Sequence, residues 1–219
     1  MDATAGGVYG GTQMIKITNI DVSGFPAAVR SMRNPMNSWE KSDSDFTEGI
    51  VIGANDLDLM KSLFRGGTEH RKFMRTIQVT FDCECNHIWW AQFDTYRVGV
   101  TRNSCSKMHR IHVKPFDIDD FSHEGIDEVG GVVKHYLKDT VDRLEMLRGI
   151  YNETGERKYW RAMLELLPMG YNIKATITMN YEVAANILRQ RKGHKIAEWN
   201  VFCVFLITLP YLKEIMGEE

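Results

Sequence analysis

The hydrophobic period of this chain changes along its length, and that change limits the folds open to it more than any other feature. Residues 73–85 alternate: Ile77, Val79, Phe81 and Cys83 fall on one side of an extended chain, and Thr76, Gln78, Thr80 and Asp82 on the other. A two-residue period predicts a strand with one buried face. Residues 132–151 repeat differently, with Val133, Leu137, Val141, Leu144 and Leu147 at three- and four-residue steps, which predicts an amphipathic helix. A shorter strand is expected over 14–20, carried by Ile15, Ile17 and Ile20. Helices are expected over 26–32 and over 57–64, the latter capped at Asn55-Asp56 and ended by Arg65-Gly66-Gly67. Further helices are expected over 88–96, over 159–167 before Pro168, over 175–190, and over 196–206 with Pro210 ending or kinking it. Strands lead and helices follow. The expected class is α+β: a mostly antiparallel sheet with packed helices and a helix-rich C-terminal half.

Residues 14–219 are read as a single domain, and 1–13, small, polar and Gly-rich, as a flexible N-terminal extension. With 27 basic and 29 acidic side chains the net charge is −2, so no overall pull on nucleic acid is expected and an anionic ligand must be held by a local cluster. A cytoplasmic protein is expected. Residues 1–13 lack the charged start and apolar core of a secretory signal, the apolar run at 201–206 is too short to span a bilayer, and four cysteines make no disulfide framework.

Several chemistries have no anchor. The chain contains no Gly-x-Gly-x-x-Gly, no phosphate-binding Gly-Lys-Ser/Thr loop, no His-Glu-x-x-His and no Gly-x-Ser-x-Gly. Cys83 and Cys85 share one face of a strand, poor spacing for zinc, and read as buried core thiols. Trp89 and Trp90 read as core residues before ligand platforms. Arg97, Arg102, Lys107, Arg110 and Lys114 form a basic run without an acid, and 116–128 an acidic run without Lys or Arg. These are either solvated surface segments or half of a charged site. On the expected 175–190 helix, Asn180, Ile187 and Arg191 return nearly to one face. Buried amides there need partners, found in a neighbouring helix end, in solvent or in a polar ligand.

Two segments together resemble the flavin-dependent thymidylate synthases. That family carries Arg-His-Arg-x-x-Ser-x-x-x-x-Ser-x-Arg-Tyr with a Gln three residues before it, and a later helix reading Asn-x5-Asn-x4-Arg after a Leu-Pro. Here Gln92 and Arg97 stand at the Gln and second Arg positions, and Leu167-Pro168 precedes Asn180, Asn186 and Arg191 in the family's spacing. Glu69-His70 resembles the family's Glu-His, whose His lies near the flavin. A divergent subgroup from Gram-positive bacteria and their viruses is similar in Arg33-Asn34-Pro35-Met36-Asn37-Ser38-Trp39, in Thr68-Glu69-His70-Arg71-Lys72-Phe73 and in Phe93-Asp94-Thr95-Tyr96. The departures are specific. Thr95 and Tyr96 replace the first Arg and the His, and Val100 the first Ser. The second Ser falls on Cys105, or on Ser106 if one residue is inserted, and the terminal pair becomes Lys107-Met108 or Met108-His109.

The resemblance implies FAD as cofactor, dUMP or another pyrimidine deoxynucleotide as substrate, methylenetetrahydrofolate and NADPH as co-substrates, and a homotetramer with active sites between subunits. It implies substrate contacts from Gln92, Arg97, Ser106, Lys107 and Arg191. Flavin contacts are implied for His70, Thr95, Tyr96, Asn180 and Asn186. No catalytic residue and no metal ligand is assigned, since in such enzymes the cofactor carries the chemistry. Three readings stay open on this scaffold: synthesis of dTMP, another pyrimidine modification such as hydroxymethylation, and binding without chemistry.

Overall fold

The computed structural model describes residues 14–217; the expected extension over 1–13 lies outside them. In chain order the elements are β1 (Lys16–Ser23), α1 (Phe25–Arg33), α2 (Ala54–Arg65), β2 (Gln78–Asn86), α3 (His87–Phe93), β3 (Val100–Ser104), α4 (Lys107–Arg110), α5 (Glu124–Val129), α6 (Gly131–Thr154), α7 (Arg157–Leu166), β4 (Asn172–Asn180), α8 (Tyr181–Arg191), α9 (Ala197–Ile207) and α10 (Leu212–Met216). Short 3-10 turns fill parts of the links, including Arg71–Arg75 ahead of β2.

The four strands form one sheet in the order β1-β2-β4-β3, every pairing antiparallel. The α+β expectation holds, and β2 lies where the alternation put it. Ile77, Val79, Phe81, Cys83 and Cys85 are buried on one face. On the other, Thr80 and Thr178 share a 2.9 Å hydroxyl contact, and Asp82 accepts from Thr176 at 2.7 Å. β1 runs three residues past its expected end. A bulge between Thr18 and Asp21, with Asn19 at φ 55°, resets the pairing so that Asp21 to Ser23 rejoin β2.

Two expectations are corrected. The helix expected over 175–190 is a strand followed by a helix. Ile173, Ala175, Ile177 and Met179 are buried and alternate with Lys174, Thr176 and Thr178, which makes β4 the second central strand; the helix begins only at Tyr181. Ala and Met are good helix formers, but pairing on both edges overrides that weak preference. The cap of α2 is not Asn55-Asp56. Gly53 occupies the capping position, and the Asp43 carboxylate accepts from the amides of Asn55 at 2.9 Å and Asp56 at 3.0 Å. Asp56 turns inward instead. A third strand, β3, lies inside the basic run. Its apolar face is too meagre to signal itself, and it forms because β4 offers an open edge.

β2 and β4 each end in an asparagine that starts the next helix. Asn86 accepts from Trp89 N at 2.9 Å and Asn180 from Val183 N at 3.0 Å, the usual service of an N-cap side chain. Both turns bring a helix back over the sheet. There Phe81 meets Phe202 and Phe205 of α9 at centroid distances of 5.8 and 5.0 Å, and Trp89 meets Trp199 at 5.1 Å. Trp89 and Trp90 are therefore core residues, as expected. Burial pushes the Cys83 and Cys85 thiols up, so both stay protonated. A smaller apolar cluster joins Leu137, Val141 and Leu144 of α6 to Met163 of α7 and to Ile111, Phe116 and Phe121. Tyr171 packs against both clusters, and burial raises its hydroxyl to about 12. No helix among the described residues is long and apolar enough to cross a membrane.

Candidate functional site

Helix α3 is short, and its two sides carry different polar clusters. On one side Gln92 Oε1 accepts from Arg191 Nη1 at 3.0 Å and from Trp199 Nε1 at 2.9 Å. Arg191 Nε donates to Tyr96 Oη at 2.9 Å, and Tyr96 Oη donates to Gln190 Oε1 at 2.9 Å. His194 Nε2 lies 3.2 Å from Arg191 Nη1. The guanidinium also sits 4.5 Å from the centre of the Trp199 ring and 5.6 Å from that of Tyr96. Stacking on aromatic faces and a rigid donor fork are what distinguish Arg from Lys. The cluster thus fixes the plane of Arg191 while Nη2 keeps no acceptor among the described residues. Gln92, Tyr96 and Arg191 are brought together here from positions 99 apart in the case of Gln92 and Arg191. His194 and Trp199 complete the cluster and were not singled out in the sequence. Their only signal is position, three and eight residues after Arg191.

The other side of α3 holds Lys107. Its Nζ lies 2.9 Å from His87 Nε2. An ammonium can only donate, so Nε2 accepts, and the imidazole is neutral with its proton on Nδ1. Burial, then the charges of Lys107 and Arg102, hold His87 down at about 4. Burial, then Arg102, also lowers Lys107. Arg102 lies 4.6 Å from the centre of the Trp90 ring and meets both Asp94 oxygens at 2.8 and 2.9 Å. Ser106 caps α4, its hydroxyl accepting from His109 N at 3.4 Å. Ser106 and Lys107 border two cavities, of about 250 and about 390 Å³. Lys107 has no carboxylate partner among the described residues. His87 is the member of this cluster that the sequence did not single out, and Arg102, one of three basic residues that could take the place of the family's phosphate Arg, is set beside it by β3, the strand the sequence did not predict.

The remaining positions are dispersed. Arg97 is exposed, its Nε 3.4 Å from the Asp94 carbonyl, and Thr95 is exposed with its hydroxyl donating to the Gln92 carbonyl at 2.7 Å. Asn180 is buried, and its Oδ1 is used by the cap; a Cβ on Gly99 would come within 2.3 Å of Nδ2, so only glycine fits beside it at φ +78°. Asn180 does not share a helix face with Ile187 and Arg191 as expected, because it precedes the helix as its N-cap. Asn186 lies on α8, half-buried, and its amide makes no hydrogen bond among the described residues. His70 is exposed, at the start of the 3-10 turn preceding β2, and no hydrogen bond joins it to the Arg191 cluster. That turn is tied to α8 by Arg71 and Arg75, which both donate to the buried Glu182 carboxylate.

No family model matches the chain, and no curated protein matches it in sequence. Its fold is similar to that of thymidylate synthase X from Helicobacter pylori, solved with FAD and dUMP: TM-score 0.64 at 13% sequence identity, covering 93% of this chain and 96% of that one. A second structure, of flavin-dependent thymidylate synthase from Helicobacter pylori complexed with FAD and dUMP, gives 0.63 at 14%, covering 91% and 97%. The fold implied by the sequence resemblance is thus the fold the chain has.

Proposed function

We propose that this chain is a divergent flavin-dependent thymidylate synthase that binds FAD and a pyrimidine deoxynucleotide and forms dTMP from dUMP, with methylenetetrahydrofolate and NADPH as co-substrates. One observation carries the reading. Arg191 and Gln92, each picked out by the family's spacing in a different segment, meet in a single cluster on a scaffold whose solved neighbours hold FAD and dUMP.

The residues suit such ligands. Arg191 offers an oriented Nη2 to a uracil carbonyl or a phosphate. Asn186 presents an amide whose hydrogen-bonding capacity nothing in the described chain uses. Lys107 supplies a positive charge without a carboxylate partner, suited to a phosphate as a point charge rather than a fork. Asn180 serves by holding the first turn of α8, which carries Asn186 and Arg191. His70, Thr95 and Arg97 face solvent and are free to meet a ligand. When bound, FAD would supply the hydride chemistry. The protein's part is to orient the pyrimidine against it and to place positive charge at its phosphate. The Arg191 and Lys107 clusters share α3, yet no hydrogen bond joins them among the described residues. The reading carries with it, from the family resemblance alone, a homotetramer with active sites between subunits and a bacterial cytoplasm, the gene being bacterial or phage-borne.

A second reading is favoured by Tyr96. It stands where the family has His and is locked between Arg191 and Gln190, while Thr95 replaces an Arg. Loss of the family's Arg-His pair leaves room for a related pyrimidine modification such as hydroxymethylation, since a fold does not fix its reaction. The test is the visible spectrum of the purified protein reconstituted with FAD, followed on addition of dUMP, with product analysis by mass spectrometry. A flavin band that dUMP perturbs, and that Arg191→Ala no longer lets it perturb, is the expected result. Protein that retains no FAD and binds no dUMP overturns both readings. The product mass, dTMP or a hydroxylated homologue, decides between them.

A further inference from the structure

The link between α1 and α2 is held more firmly than a connecting loop requires. Asp56, fully buried, accepts from Arg33 Nε at 2.6 Å and from the hydroxyls of Ser42 and Ser44 at 2.7 Å each. Arg33 Nη1 in turn reaches the Ser38 carbonyl at 3.3 Å. Next in sequence, Trp39 donates its indole N–H to Asn34 Oδ1 at 2.8 Å, yet the residue remains 49% exposed. An indole whose polar atom is fixed and whose ring stays half exposed can stack against a flat ligand at little conformational cost.

Trp39 borders a cavity of about 350 Å³ whose other apolar walls are Pro26, Val29 and Phe46. That volume lies within the range of small-molecule sites. Two guanidinium groups line it. The charge of Arg33 is met by Asp56, but Arg30 is exposed and makes no hydrogen bond or ion pair with any described residue. No carboxylate lines the cavity. Aromatic and aliphatic walls with one unpaired cation at the edge select a flat ring bearing a negative charge.

We infer that this cavity binds a small planar aromatic anion, its ring against Trp39 and its acidic group on Arg30. None of the residues assigned above to nucleotide or flavin lines it, so the inference does not rest on that reading. It gives a use to the segment 33–39, which the sequence singled out and the proposed reaction leaves idle.

The experiment titrates the full chain with the anionic dye anilinonaphthalene sulfonate and with its uncharged counterpart phenylnaphthylamine, reading dye fluorescence. Saturable binding of both dyes is expected. Trp39→Ala should weaken both by about tenfold, the scale of a lost aromatic contact. Arg30→Gln should weaken the sulfonate by about tenfold and leave the neutral dye unchanged. Both side chains are on the surface, and urea denaturation checks that each variant folds as the parent does. Binding that neither variant alters, or no saturable binding at all, overturns the site. Loss in Trp39→Ala alone overturns the assignment of an anion.

Discussion

Replacing Asp56 with Asn is a stringent test of how this chain is held together. The residue is 0% exposed, and its two oxygens receive five donors: Arg33 Nε, the Ser42 and Ser44 hydroxyls, and the amides of Asp43 and Ser44, the last two at 3.2 Å each. Asn is nearly the same size, so no cavity opens. The hydroxyls can rotate and accept from the new amide, but the two backbone N–H groups cannot. Arg33, 4% exposed, also loses its counter-charge. Breaking a buried ion pair from one side costs about 3–5 kcal/mol, a large part of the 5–15 kcal/mol of a typical domain. Urea denaturation followed by tryptophan fluorescence should show that loss, and for a chain of this size the midpoint temperature should fall by roughly 6–20 °C. Asp58→Asn on the same helix is the control. Its side chain is 81% exposed and meets Lys61 only at 4.0 Å, so stability should barely move. A pH series adds a second reading. Burial pushes Asp56 up, but Ser44, Ser42 and Arg33 together hold its carboxyl below the usual range. Its stabilisation is therefore present above about pH 4 and lost as pH falls through the lower folded value. The Asn variant should lack that acid step. Were Asp56→Asn to cost less than about 1 kcal/mol, the reasoning on buried charge would fail for this site.

Two further outcomes follow from the clusters flanking α3. Gln92→Leu strands the indole N–H of the fully buried Trp199 and removes one acceptor from Arg191; a loss of about 1–3 kcal/mol in urea titration is expected, whereas Gln92→Glu, which keeps the acceptors, should be much milder. Equal stability of the Leu and Glu variants would contradict the hydrogen-bond geometry. Lys107→Met should raise His87 from about 4, because the Lys107 charge is the second cause of its depression after burial. With a folded value below the unfolded one, neutral His87 adds stability above about pH 6.5 that is lost as pH falls from there through about 4. That acid loss should shrink in the variant, and a His87 ring resonance that titrates at an unchanged pH would refute the pairing.

What could be read in advance depended on whether a signal was local. β2 was legible because its alternation is unbroken over nine residues, and α6 because its apolar positions stay on one stripe. β4 was not, since Ala175 and Met179 resemble helix residues and its strand character comes from partners on both edges, β2 and β3. The capping asparagine at Asn180 was a real signal placed in the wrong frame, read as mid-helix when it marks the first turn. At the candidate site, Gln92 and Arg191 were found through family spacing, and no pattern within either segment encodes their contact. Asp43 capping α2 from twelve residues upstream was invisible for the same reason: the capping rule looks next door.

The central ladder has a consequence for how the chain is made. Thr80 and Thr178, neighbours across β2 and β4, are separated by 98 positions, and α8 and α9, which cover the apolar side of the sheet, are synthesised later still. At about 5–20 residues per second, β2 waits roughly 5–20 s on the ribosome with one edge bare and Val79, Phe81 and Cys83 uncovered. An unpaired edge beside an apolar face is a template for pairing with a second nascent chain. Translation halted before β4 should therefore yield aggregates rather than a stable fragment, which sedimentation of the stalled chains would show.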